Sequence, residues 1–436
     1  MSSSAVVADK TSAIQTASDS ISQRPLRFGA TAMTHTTVDF FAYLFIPIMS
    51  VLEGRLDLSP REGAIILGVG SVASGFIQPL VAWLGDRFDT RLLASAAMAI
   101  AVVAISLVGY ARNFQDLLLI QIIGTAGIGA FHPAAAAAIG QLSGKKRSLG
   151  VSIFFFAGMV GGVGGNMISP ILASRFGLER YVFLMVPGLL GVAALTWAIA
   201  RVPHRHHDAQ VQQASWSVVE SRLRWFAIGV LYLGNVMRFT VNMMLVQLMI
   251  RMGEQIALHN ADATVLDAAI RTDASSHNGM LQGAMQIGMA AGGLSAGAFL
   301  KHHHERAALV FVPVVGAAAV AAFPHADVLA AHLGSVGLSS VIAFVLAMVA
   351  GVGFAGIIPV TIALAQRLLP HRTALASGLM MGGAWGFAAV GPTIAQLLID
   401  HVGLTHAYAV TAGVLLVAGG LSLALPGKLL ASIASH

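Results

Sequence analysis

The sequence predicts an all-α integral membrane protein with twelve transmembrane helices, arranged as two pseudo-symmetric six-helix bundles. Of the 436 residues, 56% are hydrophobic and only 10% are charged, whereas a soluble domain carries roughly 25% charged residues. Apolar runs of about 20 residues, the length that spans a bilayer, recur from end to end. These runs are too long and too little alternating for barrel strands, so helices must satisfy the backbone within the hydrocarbon.

Apolar runs and the residues that break them divide the chain into twelve predicted spans. They cover residues 27–51, 61–84, 92–112, 114–141, 148–173, 179–201, 223–252, 277–300, 307–324, 338–367, 371–398 and 404–425. Residues 1–24 are polar and lack the apolar segment and cleavage site of a signal peptide. Between the seventh and eighth spans, the alternation of Ala, Val, Leu and Ile with polar residues through 263–270 predicts a short surface helix. The other predicted segments are a disordered cytoplasmic tail (1–26), an N-terminal bundle (27–201), a linker (202–222), a C-terminal bundle (223–425) with a polar, acidic periplasmic insert (253–276), and a cytoplasmic tail (426–436).

An internal repeat supports a division of the chain at the linker. The segment RSLGVS at 147–152 resembles RTALAS at 372–377, Gly177-Leu178 recurs as Gly403-Leu404, and Pro133 recurs as Pro359. The three offsets are 225, 226 and 226 residues. One half is therefore expected to be a copy of the other.

The positions of the basic residues predict the orientation of the chain. Seventeen of the 25 Lys and Arg residues fall on the side that holds both termini, seven fall on the other side, and Arg238 lies inside a span. We therefore expect both termini to be cytoplasmic. The basic residues sit in short loops instead of one patch, so the net charge of +6 does not indicate a nucleic-acid partner.

Composition and motifs also exclude several chemistries. The chain has no cysteine, so it lacks a disulfide framework, a thiolate metal site and a cysteine nucleophile. It has no nucleotide-binding Gly-Lys-Ser/Thr loop, so we predict neither an ATP-driven pump nor an enzyme, and no cofactor. Two histidine runs either bind a metal or are simply solvated; their close spacing favours solvation, and no metal site is predicted. The runs are His204, His206 and His207 in the linker, and His302, His303 and His304.

The loop after the second span carries the first family resemblance. The segment QPLVAWLGDRFDTR, from Gln78 to Arg91, resembles the loop signature of the major facilitator superfamily, an acidic residue followed by spaced arginines. The resemblance implies the twelve-helix fold and a conformational role for Asp86, Arg87 and Arg91. Ala82 and Asp89 stand where the family usually has glycines. An ordinary basic cytoplasmic loop is the alternative interpretation.

Glycines in the fifth and eleventh spans form a second motif. Glycines at helical spacing let helices approach closely, and proline bends or ends a helix. The fifth-span pattern resembles the antiporter signature of the superfamily, although Ser169 replaces its usual glycine before proline. Plain helix packing is the alternative. The residues are Gly158, Gly161, Gly162, Gly165 and Pro170 in the fifth span, and Gly382, Gly383, Gly386, Gly391 and Pro392 in the eleventh.

Two shorter motifs narrow the resemblance to one branch. His35-Thr-Thr-Val-Asp39 in the first span and Phe131-His132-Pro133 in the fourth resemble the fosmidomycin-resistance branch of the superfamily, whose members are drug efflux proteins. The resemblance covers nearly the whole chain. It implies a multi-pass protein of the bacterial inner membrane. The substrate does not follow, because similar scaffolds move unrelated solutes.

Asp39 and Arg238 are the charged residues that lie well inside predicted spans, where a charge is costly and indicates function. His35 lies one turn before Asp39, so the two side chains share a helix face. In the architecture that the resemblance implies, the first and seventh helices meet at a central cavity, which would bring Arg238 to Asp39. We predict that Asp39, His35 and Arg238 form a proton-coupling site. Alternatively, Asp39 belongs to a fixed structural pair with Arg238, or only bonds to His35.

Polar residues in other spans are candidates for a substrate cavity. They are His132, Gln78, Asn166, Asn242, Gln282, Gln286 and Trp385. Each of them either faces substrate or makes an interhelical hydrogen bond, and His132 either lines the cavity or satisfies a carbonyl freed by Pro133.

The sequence therefore predicts a monomeric secondary transporter in the lipid bilayer. We expect a proton-coupled antiporter that exports a small drug-like or anionic organic compound. The alternatives are a proton-coupled importer of an organic anion and a non-transporting membrane sensor or scaffold.

Overall fold

The computed structural model describes residues 24–88, 92–143, 147–200 and 216–434. Within these ranges every regular element is helical. The helices before residue 201 are α1 (Arg24–Leu44), α2 (Met49–Leu56), α3 (Pro60–Arg87), α4 (Leu93–Ser106), α5 (Phe114–Leu142), α6 (Arg147–Phe176) and α7 (Met185–Ile199).

The helices after residue 215 form the second half of the fold. They are α8 (Val218–Asn260), α9 (Ala268–Phe299), α10 (Glu305–Ala322), α11 (Ala326–His332), α12 (Ser339–Ala355), α13 (Ile358–Leu368), α14 (Thr373–Gly378), α15 (Ala384–Ala388), α16 (Gly391–Val402), α17 (Leu404–Leu421) and α18 (Gly427–Ala434). A π-helical turn, Leu379–Gly383, joins α14 to α15.

Helix starts follow capping signals in the sequence. Ser59 and Glu62 form a reciprocal capping box at the start of α3, with Pro60 at the first helical position. The Ser217 side chain accepts a hydrogen bond from the backbone N–H of Glu220 at the start of α8. These caps satisfy N–H groups that the first turn of a helix leaves without partners.

Each of the twelve predicted spans is helical in the structure. Some of these helices are too polar or too short to be identified as membrane spans by length and composition alone. Ten helices in the described ranges are long and apolar enough to cross a membrane, or up to eleven if α1 and α2, which meet at 45°, form one span. The remaining predicted span, 277–300, lies in α9, which has 32 residues. Because α9 packs against α6, α8 and α12, its side chains Asn278, Gln282 and Gln286 are buried against protein.

The predicted periplasmic insert at 253–276 is wrong as a separate unit. Helix α8 continues to Asn260 and α9 begins at Ala268, so only a short loop separates them. The surface helix predicted over 263–270 does not form. The physical reason is burial: Ala257, Ile270 and Ala274 form an apolar cluster between the extended helix ends, and Glu254 is 6% exposed.

The segments outside the bundles are only partly within the described ranges. Residues 1–23 and 201–215 lie outside them, so most of the predicted disordered tail and most of the predicted linker are not described. Residues 24–26 of that tail belong to α1. The end of that linker, from Val218, belongs to α8. In the predicted C-terminal tail, α18 packs through Ile433 against the second half.

Helices of each half pack mainly on one another. In the first half α1 contacts α4, α5, α6 and α7, and in the second half α8 contacts α9, α16 and α17. The halves meet where α6 packs on α9 and where α3 packs on α15 and α16. This arrangement places two bundles side by side, with α3 and α6 of the first half and α9, α15 and α16 of the second half at their junction.

Arginines at helix ends define one side of the molecule, which we call the terminal face because Arg24 begins α1 there. Arg24 donates to the carbonyl of Leu142 (2.7 Å). Arg224, at the start of α8, donates to the carbonyl of Leu368 (2.9 Å). Both bonds stay within one half. The opposite side, with the loops after α2 and α8, is called the far face.

Candidate functional site

Helices α1 and α5 bring together two histidines and an aspartate, which we call the histidine-aspartate cluster: His35, Asp39 and His132. His35 Nε2 lies 3.4 Å from Asp39 Oδ2, and His132 Nε2 lies 3.2 Å from Asp39 Oδ1. In the described part of the chain, these are the residues that form a group of three or more potential metal ligands, with ligand atoms within 4.8 Å of one another. The predicted proximity of His35 and Asp39 is confirmed, and His132 joins them from another helix.

Backbone carbonyls fix the protonation of the second nitrogen of each imidazole. His35 Nδ1 lies 2.6 Å from the carbonyl oxygen of Phe154, and His132 Nδ1 lies 2.7 Å from that of Ile128. A carbonyl oxygen only accepts, so the hydrogen-bond network assigns the proton of each neutral ring to Nδ1. Both Nε2 lone pairs then point towards the carboxylate of Asp39, which also only accepts.

The cluster is enclosed more on one side than on the other. The His35 ring stacks on Phe154 with a centroid distance of 3.9 Å. The side chain of His35 is 2% exposed, that of Asp39 is 11% exposed, and that of His132 is 26% exposed. Access to the cluster is therefore through His132.

Gly158 of α6 packs closely on the cluster. A Cβ at this position would lie 2.6 Å from both Asp39 Oδ2 and His35 Nε2, which is closer than van der Waals contact allows. His35 Nε2 is buried and forms no hydrogen bond. A buried acceptor without a hydrogen bond, next to a carboxylate, suits the binding of a proton or a small cation.

Arg238 does not reach Asp39, so the expected contact between them is wrong. Its guanidinium is fully buried and donates to Asn235 Oδ1 (3.3 Å) and to the carbonyl of Leu309 (3.3 Å). It also reaches the Ala418 carbonyl and Ser422 Oγ, both at 3.4 Å. These acceptors belong to helices of the second half, whereas Asp39 faces helices of the first half.

A second buried group of charges joins the halves at the far face. We call Glu53, Arg251, Glu254 and Arg271 the far-face charge cluster. Arg251 Nη1 donates to Glu53 Oε2 and Glu254 Oε2, both at 2.8 Å, and Arg251 Nη2 pairs with Glu53 Oε1. Arg271 Nη1 lies 3.7 Å from Glu254 Oε1. Glu53 belongs to α2 and the other three residues to α8 and α9.

Further polar contacts between the halves lie near the far face. Arg61 of α3 pairs with Asp400 of α16 at 2.7 Å, and Ser50 donates to Glu254 at 2.6 Å. Asn278 of α9 donates to the carbonyl of Ile46 at 3.2 Å. The sequence alone does not predict these contacts between the halves, because arginines near span ends also serve as topology signals.

The predicted cavity residues divide by exposure. His132, Gln78 and Trp385 are partly exposed, with Gln78 bonded to its own helix at Ser74. Four others are at most 4% exposed: Asn166, Asn242, Gln282 and Gln286.

Contacts of the buried residues favour interhelical roles. Gln282 donates to the carbonyl of Val246 (3.2 Å), Gln286 contacts Met159 Sδ (3.0 Å) across the halves, and Asn242 lies 3.8 Å from Met289 Sδ. For these residues the structure supports helix association over substrate contact.

The motif glycines lie at close helix approaches. In α6, the positions of Gly161 and Gly165 face the backbone of α1, and Gly162 faces Tyr43 and Gln286. Pro170 contacts Gly279 of α9. Ser169, which replaces a glycine of the family pattern, donates to the carbonyl of Leu44 at 2.5 Å.

The glycines of the eleventh predicted span also lie where helices pack closely, in the second half of the fold. The positions of Gly382 and Gly386 face α3, Gly391 faces α8, and Gly383 lies near Tyr232. Pro392 stands in the first turn of α16. Arg91 and the side chains of Asp86 and Arg87 lie outside the described structure, so the loop motif remains a prediction.

Comparison with known proteins agrees with this architecture. The sequence model of the Major Facilitator Superfamily matches residues 31–332. The fosmidomycin resistance protein of Escherichia coli (strain K12) is 22% identical over 385 residues, which cover 88% of this chain and 89% of that protein.

Solved transporters share the fold at low sequence identity. A bacterial homolog of the human lysosomal transporter Spinster, in an inward-facing and unoccupied conformation, superposes with a TM-score of 0.62 at 14% identity, over 94% of this chain and 97% of that one. A mutant of the nucleoside transporter NupG gives a TM-score of 0.64 at 16% identity, over 92% and 99% of the two chains. The match of the family model over most of the sequence shows that this chain belongs to the Major Facilitator Superfamily, and it is a multi-pass membrane transporter and not an enzyme.

Proposed function

We propose that the protein is a proton-coupled antiporter that exports a small drug-like or anionic organic compound, and that the histidine-aspartate cluster carries the coupling protons. One observation carries the proposal: the Nε2 atoms of two imidazoles, whose Nδ1 atoms face backbone carbonyls, lie against one carboxylate in a buried site. Three acceptors in contact repel unless a proton lies between them. The cluster therefore needs at least one proton and has acceptor atoms for two.

If the transporter alternates between states open to opposite faces, the affinity of the cluster for a proton would differ between those states. In this structure the far face is closed by the far-face charge cluster, and among the described residues of the terminal face the bonds of Arg24 and Arg224 stay within one half. This pattern supports a state that opens to the terminal face, where His132 gives access to the cluster. A proton bound in one state and released in the other would drive the exchange.

Export, as opposed to import, is supported by the fosmidomycin resistance relative. An importer of an organic anion would use the same cluster with the opposite net flux. Arg238 gives that alternative little support, because its guanidinium is occupied by neutral acceptors and is fully buried.

Flux in everted vesicles tests the proposal. Vesicles from an efflux-deficient bacterium expressing the chain should accumulate fosmidomycin, or another compound from a susceptibility panel, when their interior is acidified. Asp39→Asn should abolish this accumulation, whereas Asp327→Asn, which changes an exposed carboxylate on α11, should leave it intact. Proton-driven accumulation by Asp39→Asn at the wild-type rate would contradict the coupling role.

We also propose that the terminal face is cytoplasmic and that the membrane is the bacterial inner membrane. The basic-residue asymmetry of seventeen to seven supports this orientation. Reporter fusions at Arg205 and His436 should be active only as cytoplasmic reporters. A periplasmic signal from either fusion would reverse the assignment.

A further inference from the structure

We propose that His35, Asp39 and His132 form a binding site for a divalent cation of the Zn²⁺ class. The site stands on the arrangement of its ligand atoms and would remain if the proton-coupling role failed. Its effect on transport, in contrast, rests on the proposed function, because a bound metal would occupy the acceptors that the coupling protons need.

The donor set and its spacing fit a tetrahedral metal. Zn²⁺ binds His nitrogen and carboxylate oxygen at about 2.0–2.1 Å. Two ligand atoms of a tetrahedral site at that distance lie about 3.3 Å apart. His35 Nε2 lies 3.4 Å from Asp39 Oδ2, and His132 Nε2 lies 3.2 Å from the other carboxylate oxygen, Oδ1. Each imidazole thus stands at about one tetrahedral edge from one oxygen of Asp39, and one ligand atom from each of the three residues lies within 4.8 Å of the others.

The surrounding contacts hold both imidazoles in the orientation that metal ligation needs. A histidine that binds a metal usually donates its other ring N–H to a carbonyl or carboxylate, which fixes the ring and its tautomer. Here the carbonyls of Phe154 and Ile128 take the two Nδ1–H groups. Both Nε2 atoms thereby face Asp39, and a cation bound there would replace the contact of His132 Nε2 with Asp39 Oδ1.

Gly158 lets α6 approach the cluster without disturbing it, because a Cβ there would crowd two of the three ligand atoms. The partly exposed side of His132 leaves a fourth coordination position open to water. Two imidazoles and one carboxylate favour Zn²⁺, Co²⁺ or Cu²⁺ over Mg²⁺ and Ca²⁺, which prefer oxygen ligands. The geometry thus predicts an exchangeable three-ligand site for a borderline transition metal.

The test must separate this site from the other histidines, of which the chain has 16 in all. We would change His204, His206, His207, His302, His303 and His304 to Gln in a full-length background protein without an affinity tag, reconstituted in nanodiscs. Co²⁺ is the probe, because a four-coordinate Co²⁺ ion has intense visible absorption. The expected result is one tetrahedral Co²⁺ per chain, displaced by Zn²⁺ and not by Mg²⁺.

Variants in this background identify the ligands. His35→Asn and His132→Asn keep an amide donor near the position of Nδ1 and remove Nε2, and Asp39→Asn removes the carboxylate. Each should weaken Co²⁺ binding by at least about tenfold and lower the visible absorption.

A matched control is available on α9. His277 and Asp273 have the same spacing as His35 and Asp39 and a similar separation of 3.4 Å, but no second imidazole completes a group of three within the described residues. His277→Asn should leave the tetrahedral Co²⁺ signal unchanged. Gly158→Ala, which keeps all three ligands, should weaken binding by crowding them and covers the case in which a ligand variant fails to fold.

The outcomes separate the two proposals. A background protein without a tetrahedral Co²⁺ signal, or one whose signal survives Asp39→Asn, would overturn the metal site even if the wild type carries out proton-driven flux. Co²⁺ binding without such flux would leave the metal site standing and remove the coupling role. If both hold, Zn²⁺ should inhibit flux at the concentrations that displace Co²⁺, and flux that is unaffected at full occupancy would overturn the competition with protons.

Discussion

Helices α1 and α2 each contribute to a buried group of ionisable residues, and the two groups differ in how their polar atoms are matched. In the far-face charge cluster, two carboxylates are balanced by two guanidinium groups, and Arg251 donates to Glu53 and Glu254. In the histidine-aspartate cluster, one carboxylate faces two imidazole nitrogens, and His35 Nε2 has no hydrogen bond. In the far-face charge cluster Arg251 Nε has none either, but its other two nitrogens pair with carboxylates. A group with matched charges holds two surfaces together, whereas a group with an excess of acceptors can bind a proton or another cation. Burial alone therefore does not distinguish a structural group from a functional one.

Arg251→Ala should have the largest effect on stability. It leaves Glu53 and Glu254 buried without the guanidinium between them, and breaking a buried pair on one side costs about 3–5 kcal/mol. We expect a large drop in thermal stability of the purified protein, or a shift away from the state that is closed at the far face.

Crosslinking distinguishes these two results. Because the chain has no native cysteine, Arg61→Cys with Asp400→Cys reports directly on closure of the far face. In the Arg251→Ala background this pair should crosslink less. Unchanged melting and unchanged crosslinking would show that the far-face charge cluster does not hold the halves together.

Asp39→Asn should have the opposite signature, with transport lost and stability kept. The substitution removes a carboxylate that faces two lone pairs and supplies an amide N–H that can donate to one of them. We expect no proton-driven flux and a change in unfolding free energy below about 1 kcal/mol. A decrease of several kcal/mol in the unfolding free energy would indicate a structural role for Asp39, and the two clusters would then not differ in function as proposed.

Arg238→Met should give an intermediate loss of stability without affecting the pH dependence of flux. The guanidinium satisfies neutral acceptors on α8, α10 and α17, and leaving a buried polar group unsatisfied costs about 1–3 kcal/mol. The pH profile of fosmidomycin flux is the readout. A displaced profile would mean that Arg238 acts on Asp39 in a conformation other than this one.

Arg61→Ala should have the smallest effect. The pair with Asp400 also joins the halves, but the Arg61 side chain is 62% exposed, and exposed pairs contribute about 0–1 kcal/mol. A melting temperature near that of the wild type is expected. A loss comparable to that of Arg251→Ala would show that burial is not what distinguishes the two contacts.

The helices could be predicted from the sequence because a bilayer imposes both length and composition on them. Helix α9 differs from the other spans, because its buried Asn278 and Gln282 make it too polar to be identified as a span by composition alone. Its apolar C-terminal part is nevertheless enough to predict the span 277–300. Local spacing was likewise enough to place His35 and Asp39 on one face, because four residues make about one helical turn.

The partners from distant segments could not be predicted in this way. His132 meets Asp39 only because α5 packs on α1 in one register, and nothing in local spacing encodes that register. The same holds for Glu53 and Arg251, which lie 198 residues apart. One signal was available: both motifs that resemble the fosmidomycin-resistance branch contribute to the same cluster.

The interruption between α1 and α2 has a mechanical consequence. A continuous helix from residue 24 to 56 would be a rod of about 50 Å, and any tilt at one end would displace the other. At the break, the carbonyl of Leu44 accepts a hydrogen bond from Ser169 of the same half, and that of Ile46 accepts one from the backbone N–H of Met49 and one from Asn278 of the other half. When the halves separate, Ser169 can stay bonded while water replaces Asn278. The joint can thus bend without leaving a dry, unsatisfied carbonyl, and Asp39 on one arm and Glu53 on the other can move in sequence instead of together.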